Sequence, residues 1–144
     1  MKILALDIAT KTGYSLPDKS GTFDLSFAHG DWGAMTGAFI DWLSSMIAEY
    51  SPDQIVIEQP FMRGPHTRLL FGLVQAAHTT AYRHGVPRKE YTPQAIKKFA
   101  TGSYKAKKIE VVEAVRKLGF NPLEDNEADA ISLRLLVESE HGKK

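Results

Sequence analysis

The chain has 144 residues, a formal net charge of +1 and no cysteine. This length predicts one domain, residues 1–144, whose core is large enough to fold without disulfides, and the lack of cysteine excludes thiolate zinc sites. The apolar run after Lys2 is too short for a secretory signal, and no stretch approaches the ~18 apolar residues of a membrane span. We therefore expect a cytoplasmic protein that does not enter the membrane.

The first apolar run, from Ile3 to Leu6, has the length and continuity of a strand buried on both faces. It ends at Asp7, and a polar loop follows as far as Gly13. A carboxylate at the mouth of a buried strand either caps the following loop or takes part in metal or phosphate chemistry. The strand alone leaves both interpretations open, so the decision depends on the other acidic residues.

Two further strands are predicted before the first helix. Residues 13–16 form a short strand, residues 17–21 have the composition of a turn, and residues 22–27 alternate in polarity. In this alternation Phe23, Leu25 and Phe27 share the buried face. Together with the first strand, these segments predict an antiparallel meander.

A second buried strand ends in a carboxylate. Apolar residues recur at three- and four-residue steps over residues 34–50, which predicts an amphipathic helix. Residues 54–57 form an apolar strand that ends at Glu58. Since the helix acts as a crossover between the two strands, we expect them to be neighbours with Asp7 and Glu58 at the same edge of the sheet.

The second half of the chain is mainly helical and carries the basic residues. We predict helices over residues 67–83, 105–118 and 126–138, a strand over 86–91, and a short helix that begins at Thr92-Pro93. Residues 88–117 carry nine basic and three acidic side chains. Such a block is typical of a surface that binds a polyanion, although an ordinary lysine-rich surface helix explains a single segment equally well.

The start of the last helix provides a third acidic group. Asp125, Asn126 and Asp129 are spaced three and four residues apart, which places each pair on one helix face. Asn126 also suits an N-cap, whereas the small and apolar neighbours of Asp129 indicate a closely packed position. If Asp7, Glu58 and Asp129 converge, they repel one another unless cations lie among them, as Mg²⁺ or Mn²⁺ does in phosphodiester cleavage.

The order of these elements is similar to the ribonuclease H-like fold, an α/β fold in which helices flank a mixed five-stranded sheet of an antiparallel meander followed by parallel strands. Three segments resemble the RuvC-type Holliday-junction resolvases: Glu58-Gln59-Pro60-Phe61-Met62, residues 95–113 around Ala106-Lys107-Lys108, and Asn126-Glu127-Ala128-Asp129-Ala130. The resemblance covers essentially the whole chain. It implies a bacterial or bacteriophage protein, acting in the host cytoplasm if phage-encoded.

The resemblance assigns roles to individual residues. Asp7, Glu58 and Asp129 fall on the family's metal-binding acids, and Asn126 stands where the family has a fourth acid or a histidine. Asp125 or Glu127 is a substitute for that fourth ligand. The DNA-binding positions implied are an aromatic that stacks on bases at the exchange point, the loop after it, and a basic helix start: Phe61, Arg63, Lys105, Lys107 and Lys108.

The activity that the resemblance implies is hydrolysis of four-way DNA junctions. Two Mg²⁺ ions, or Mn²⁺ as a substitute, would support paired nicks that leave 5′-phosphate and 3′-hydroxyl ends. Paired nicks imply a homodimer, and we expect the apolar face of the helix over residues 67–83 to form the contact. Two alternatives stay open: a related nuclease acting on RNA, flaps or forks, and a junction-binding protein that lost cleavage together with its fourth acid.

Overall fold

The computed structural model describes residues 1–61 and 64–142, which form a mixed five-stranded sheet with helices on both faces. The strands are β1 (Ile3–Asp7), β2 (Lys11–Leu16), β3 (Lys19–Asp24), β4 (Gln54–Glu58) and β5 (Arg88–Tyr91). The helices are α1 (Trp32–Tyr50), α2 (Thr67–Arg83), α3 (Pro93–Thr101), α4 (Lys108–Lys117) and α5 (Asp125–His141), with a 3-10 helix over Ser26–Ala28. The predicted α/β class and mixed sheet are confirmed.

The central strand of the sheet is β1, and the strand order is β3-β2-β1-β4-β5. β1, β2 and β3 are antiparallel neighbours, whereas β1, β4 and β5 run parallel to one another. The register of β1 against β4 pairs Leu6 with Ile57. Asp7 and Glu58 follow this pair directly, so both acids leave the sheet at the same edge.

Both faces of β1 are buried, as its continuous apolar sequence predicts. Leu4 and Leu6 pack with α1 and α2 on one face, while Ile3 and Ala5 pack with α3 and α5 on the other. All four residues are inaccessible to solvent. The central strand therefore holds Asp7 at the end of a tightly packed and rigid element.

The helices on the α1–α2 face follow the sequence pattern closely. α1 buries the stripe that begins with Met35, Phe39 and Leu43, and α2 has the predicted bounds. α1 begins at Trp32, two residues before the predicted start, because the Asp31 side chain accepts a hydrogen bond from the Ala34 amide at 3.0 Å.

No helix in the described ranges is both long and apolar enough to cross a lipid bilayer.

The predicted antiparallel meander is present, but the bounds given to its turn, residues 17–21, and to its last strand, residues 22–27, are wrong. β3 pairs with β2 from Lys19 onward, so the connection between them is only two residues long. The strand ends at Asp24, whose side chain accepts the Ser26 amide at 2.9 Å and turns the chain into the 3-10 helix. As a result Leu25 is buried but Phe27 is 73% exposed.

Two helix starts also differ from the prediction. α4 begins at Lys108 rather than residue 105, because the Glu110 side chain accepts the Lys107 amide at 3.2 Å and fixes the first turn there. α5 begins at Asp125 and follows Glu124, so Asn126 lies inside the first turn and is not the N-cap. The amide of Asn126 is then available for a contact outside its own helix.

Candidate metal centre

Three carboxylates converge at the sheet edge where β1 and β4 end. Asp7 ends β1, Glu58 ends β4, and Asp129 lies in the second turn of α5, which packs across β1 and β2. Each of the three offers an oxygen atom, and these atoms all lie within 4.8 Å of one another. In the described part of the chain, this is the group of acidic or histidine side chains close enough to share a cation.

The cluster disfavours its own negative charge when no cation is present. Burial raises the pKa of Asp7 well above its ordinary value, and the neighbouring Glu58 and Asp129 raise it further. Burial also raises the pKa of Asp129 to about 7, and repulsion from Glu58 contributes. A cation placed among the three oxygens would remove this repulsion and favour full ionisation.

The donor set fits a hard divalent cation. All three groups are carboxylates, the oxygen ligands that Mg²⁺ and Mn²⁺ prefer, and the described residues supply no sulfur or imidazole ligand at this position. Two of the acids are carried by adjacent parallel strands, whose backbone is fixed by the buried core. The cation site is therefore largely preformed by the fold.

Asn126 lies at the rim of the same site. Its side-chain amide nitrogen donates a hydrogen bond to the Lys11 carbonyl oxygen at 2.6 Å, and the residue lines the same cleft as the three acids. Because the nitrogen is held by β2, the amide oxygen is the atom of Asn126 that suits a cation. The structure thus places Asn126 beside the cluster with a defined amide orientation.

The two substitute ligands occupy different environments. Asp125 forms an ion pair with Lys108 at 3.4 Å and is close enough to raise the pKa of Asp129 by repulsion. Glu127 is buried and points to the opposite side of the helix, where it accepts hydrogen bonds from Ser20 at 2.6 Å and the Leu123 amide at 3.0 Å. Glu127 is therefore engaged in packing α5 and does not face the cluster.

A cleft of about 260 Å³ opens in front of the acids. It is also lined by Lys97 of α3 and Lys108 of α4, which bring positive charge to the site. Lys108 is among the residues predicted from the sequence, whereas Lys97 is not, because its only signal is its place in the basic block. A larger hollow of about 540 Å³ between α3, α4 and α5 contains none of the clustered acids, so chemistry rather than volume identifies the site.

Two of the expected DNA-binding residues line this cleft. Phe61 lines the cleft and is 48% exposed, and Lys108 lines it as well. Lys105 and Lys107 are exposed in the segment that leads into α4. Arg63 lies outside the described residues.

The expected contact between copies through the apolar face of α2 is wrong. That face, which includes Leu69, Leu73 and Ala77, is buried in the core that α2 shares with α1. The opposite side of α2 is exposed and has a mixed composition: Arg68, Phe71, Gly72, Gln75, Thr79 and Tyr82. An amphipathic stripe indicates burial, but it does not say whether the covering surface belongs to the same chain.

Comparison with known protein families identifies similar sequences. A family model described as crossover junction endodeoxyribonuclease RuvC matches residues 32–136. The RuvC protein of Halorhodospira halophila is 34% identical over 93% of this chain and 87% of its own length. That of Alkalilimnicola ehrlichii is 33% identical over 93% of this chain and 88% of its own length.

Solved structures share the fold. The Thermus thermophilus RuvC structure aligns with a TM-score of 0.79 at 21% identity and covers 94% of this chain and 92% of its own. The same protein in complex with a Holliday junction substrate also gives 0.79, at 20% identity and the same coverage. The yeast mitochondrial Holliday junction resolvase Ydc2 gives 0.67 at 14% identity, over 96% of this chain and 80% of its own.

Proposed function

The chain belongs to the RuvC family of crossover junction endodeoxyribonucleases, and we propose that it resolves four-way DNA junctions by paired hydrolytic nicks. The products would carry 5′-phosphate and 3′-hydroxyl ends. The observation that carries this proposal is the convergence of Asp7, Glu58 and Asp129 within 4.8 Å at one sheet edge. This cluster also argues against a protein that binds junctions without cleaving them, because DNA binding alone does not require buried acids.

Nucleases of this family use divalent metal ions, and the acidic cluster suits them. We propose two Mg²⁺ ions, replaceable by Mn²⁺, held by Asp7, Glu58, Asp129 and the amide oxygen of Asn126. When bound, such ions supply a nucleophilic water and stabilise the charge on the phosphate and the leaving oxygen. Asn126 carries no charge, so the site would balance less cationic charge than one with four acids.

The lysines of the cleft give the chain its own means of holding the phosphate. Lys97 and Lys108 line the same cleft as the acids, and Lys108 is anchored by Asp125. Their ammonium groups would attract the phosphate that is to be cut and offset the charge that grows on it during hydrolysis. Their position on α3 and α4 fixes them relative to the acids on β1 and β4.

Contacts with the rest of the junction would come from the rim of the cleft. The ring of Phe61 is half exposed at this rim, where stacking on an unpaired base would contribute ~1–3 kcal/mol. Lys105 and Lys107 precede α4 and are exposed, so they are suited to contact phosphates. We extend the same proposal to Arg63, which follows Phe61 closely in the sequence.

Two symmetric nicks require two active sites, so we propose that the protein acts as a homodimer. The surface we propose for the contact is the exposed side of α2, where Phe71 is 42% and Tyr82 is 70% exposed. Gly72 lies on the same side and offers open space. Large exposed aromatic rings beside a residue without a side chain suit close packing against a second helix.

The proposal is tested by cleavage of a labelled synthetic four-way junction in Mg²⁺ or Mn²⁺, with Asp7→Asn as the variant. We expect the unmutated protein to nick opposite strands and Asp7→Asn to lose cleavage by at least ~10³-fold. Asp7→Asn should still bind the junction, because the substitution removes a charge from the acids and not from the DNA-binding lysines. Linear duplex, forked DNA and RNA of matched length are the reference substrates.

The other outcomes identify the alternatives. Faster cutting of RNA, forks or flaps than of the junction would keep the site and replace the substrate. Tight junction binding without cleavage in either metal would mean that the protein only binds junctions, and the proposed activity would then be abandoned.

A further inference from the structure

We propose that Gly13 is a positioning residue for the cation site: by leaving space for the first turn of α5, it sets the distance of Asp129 from Asp7 and Glu58. The inference rests on the proposed function in one respect, namely that the three carboxylates bind a divalent cation. It concerns a residue of β2 that carries no functional group, so its role can come only from geometry.

Gly13 lies between the acid of β1 and the helix that carries the third acid. It is the cross-strand partner of Asp7 in the β1–β2 register. A β-carbon added at Gly13 would lie 2.0 Å from the Asn126 carbonyl oxygen and 2.3 Å from its carbon, with the Glu127 nitrogen at 2.8 Å. The first turn of α5 therefore rests directly on the backbone of β2.

Contacts on both sides of Gly13 hold the helix in this position. Asn126 donates from its side chain to the Lys11 carbonyl oxygen at 2.6 Å, two residues before Gly13. On β3, the Ser20 hydroxyl donates to the Glu127 carboxylate at 2.6 Å, and Glu127 is only 6% exposed. We call these two hydrogen bonds the α5 clamp.

A methyl group at Gly13 cannot be accommodated by a side-chain movement, because all three atoms in its way belong to the backbone of α5. The helix start must move outward by about 1 Å before the contact reaches the shortest separations that β-carbons tolerate. Asp129 lies one turn after Asn126 on the same helix and would move with it. Cation sites accept ligand distances only within about 0.2 Å of their preferred values, so this displacement would weaken the site.

The test compares Gly13→Ala with Gly21→Ala, a matched glycine on β3. A β-carbon at Gly21 would approach the Tyr14 hydroxyl at 2.9 Å and its ring at 3.1 Å. Tyr14 is partly exposed, so the contact in the way at Gly21 is a side chain that can shift, whereas the contact at Gly13 is backbone. For each protein, Mn²⁺ affinity is measured by isothermal titration calorimetry, and junction affinity is measured in a chelating buffer without metal.

We expect Gly13→Ala to bind Mn²⁺ about 10- to 100-fold more weakly than the unmutated protein, the range seen when groups that orient metal ligands are changed. Gly21→Ala should stay within about 3-fold, and junction affinity without metal should be unchanged in both. A change confined to metal affinity separates a positioning role from a general loss of structure. Equal Mn²⁺ affinity for the two glycine variants would overturn the inference.

If Gly13→Ala fails to fold, a variant of the α5 clamp provides the test instead. Ser20→Ala removes one clamp contact without a collision, and Thr22→Ala, at a partly exposed position two residues further along β3, is its control. The inference predicts weaker Mn²⁺ binding for Ser20→Ala than for Thr22→Ala, and it is wrong if the two variants bind equally. Because calorimetry needs no cleavage, weakened Mn²⁺ binding would support the inference even if the unmutated protein failed to cut junctions.

Discussion

At the residue scale, Asp129 links the charge of the cluster to the stability of the metal-free protein. In the unfolded chain this carboxyl ionises near its ordinary pKa of 3.8, whereas burial and Glu58 raise its pKa to about 7 in the folded protein. Between these values the folded state binds more protons than the unfolded state. The stabilisation is complete below pH 3.8 and is lost as the pH rises through 7.

We therefore predict that Asp129→Asn becomes progressively more stable than the unmutated protein between pH 4 and pH 7 in a chelating buffer. An amide cannot ionise, so the variant avoids the loss of folding stability that ionisation of the buried Asp129 causes in this range. Three pKa units at one site set an upper limit of ~4 kcal/mol on the difference. Urea unfolding of both proteins at several pH values measures it, and a difference that does not vary with pH contradicts the prediction.

The same experiment with added Mg²⁺ tests whether cation binding offsets the stability that is lost when the clustered acids ionise. A bound cation should stabilise the unmutated protein at pH 7 and have little effect on Asp129→Asn. Charge repulsion in the metal-free state and affinity for a cation then have the same origin, which is the burial of three carboxylates at one sheet edge.

At the scale of single elements, the two ends of α4 lie in different surroundings. Its first residue, Lys108, lines the cleft and follows Lys107 directly, whereas its last residue, Lys117, lines the hollow between α3, α4 and α5. Lys107 and Lys117 are both exposed and belong to the same basic block. Composition alone does not distinguish them, but their places on the helix do.

We predict that Lys107→Ala weakens junction binding and lowers the dependence of log affinity on log salt concentration by about 1, because one phosphate contact is lost. Lys117→Ala should change neither quantity. Filter binding or fluorescence anisotropy over a series of salt concentrations, without metal, provides both values. Equal effects of the two substitutions would mean that the basic block acts as a diffuse charge and not through the start of α4.

At the scale of the whole molecule, the two sides of α2 have different surroundings. One side completes the core with α1, and the other presents Phe71 and Tyr82 to solvent. Phe99 on α3 is exposed to a similar extent, 38% against 42% for Phe71, but it lies on the opposite face of the sheet.

We predict that Phe71→Glu raises the dimer dissociation constant by at least ~30-fold, equivalent to about 2 kcal/mol for a central interface residue, and that it uncouples the two nicks. Phe99→Glu adds the same charge and should leave the dimer intact. Sedimentation equilibrium measures the association, and a junction carried on a supercoiled plasmid reports paired against single nicks. A monomeric unmutated protein at cleaving concentrations would contradict the proposed dimer.

The sequence by itself determined the central elements of the fold. β1 and β4 are short continuous apolar runs that each end in one acid, and α2 has a regular stripe with clear ends, so local patterns were sufficient to predict them. The convergence of Asp7 and Glu58 also followed from sequence, because a helical crossover between two buried strands makes them parallel neighbours. Asp129 was distinguished from the adjacent acids by its small apolar neighbours.

Only the tertiary structure decided which surface each side chain meets. It turned Phe27 out to solvent, directed Glu127 to Ser20 and away from the cluster, and brought Lys97 into the cleft. It also placed the backbone of Gly13 against α5 across more than 100 residues of sequence. Periodicity records that a face is buried, whereas the identity of its neighbour depends on contacts between distant segments, which no local pattern encodes.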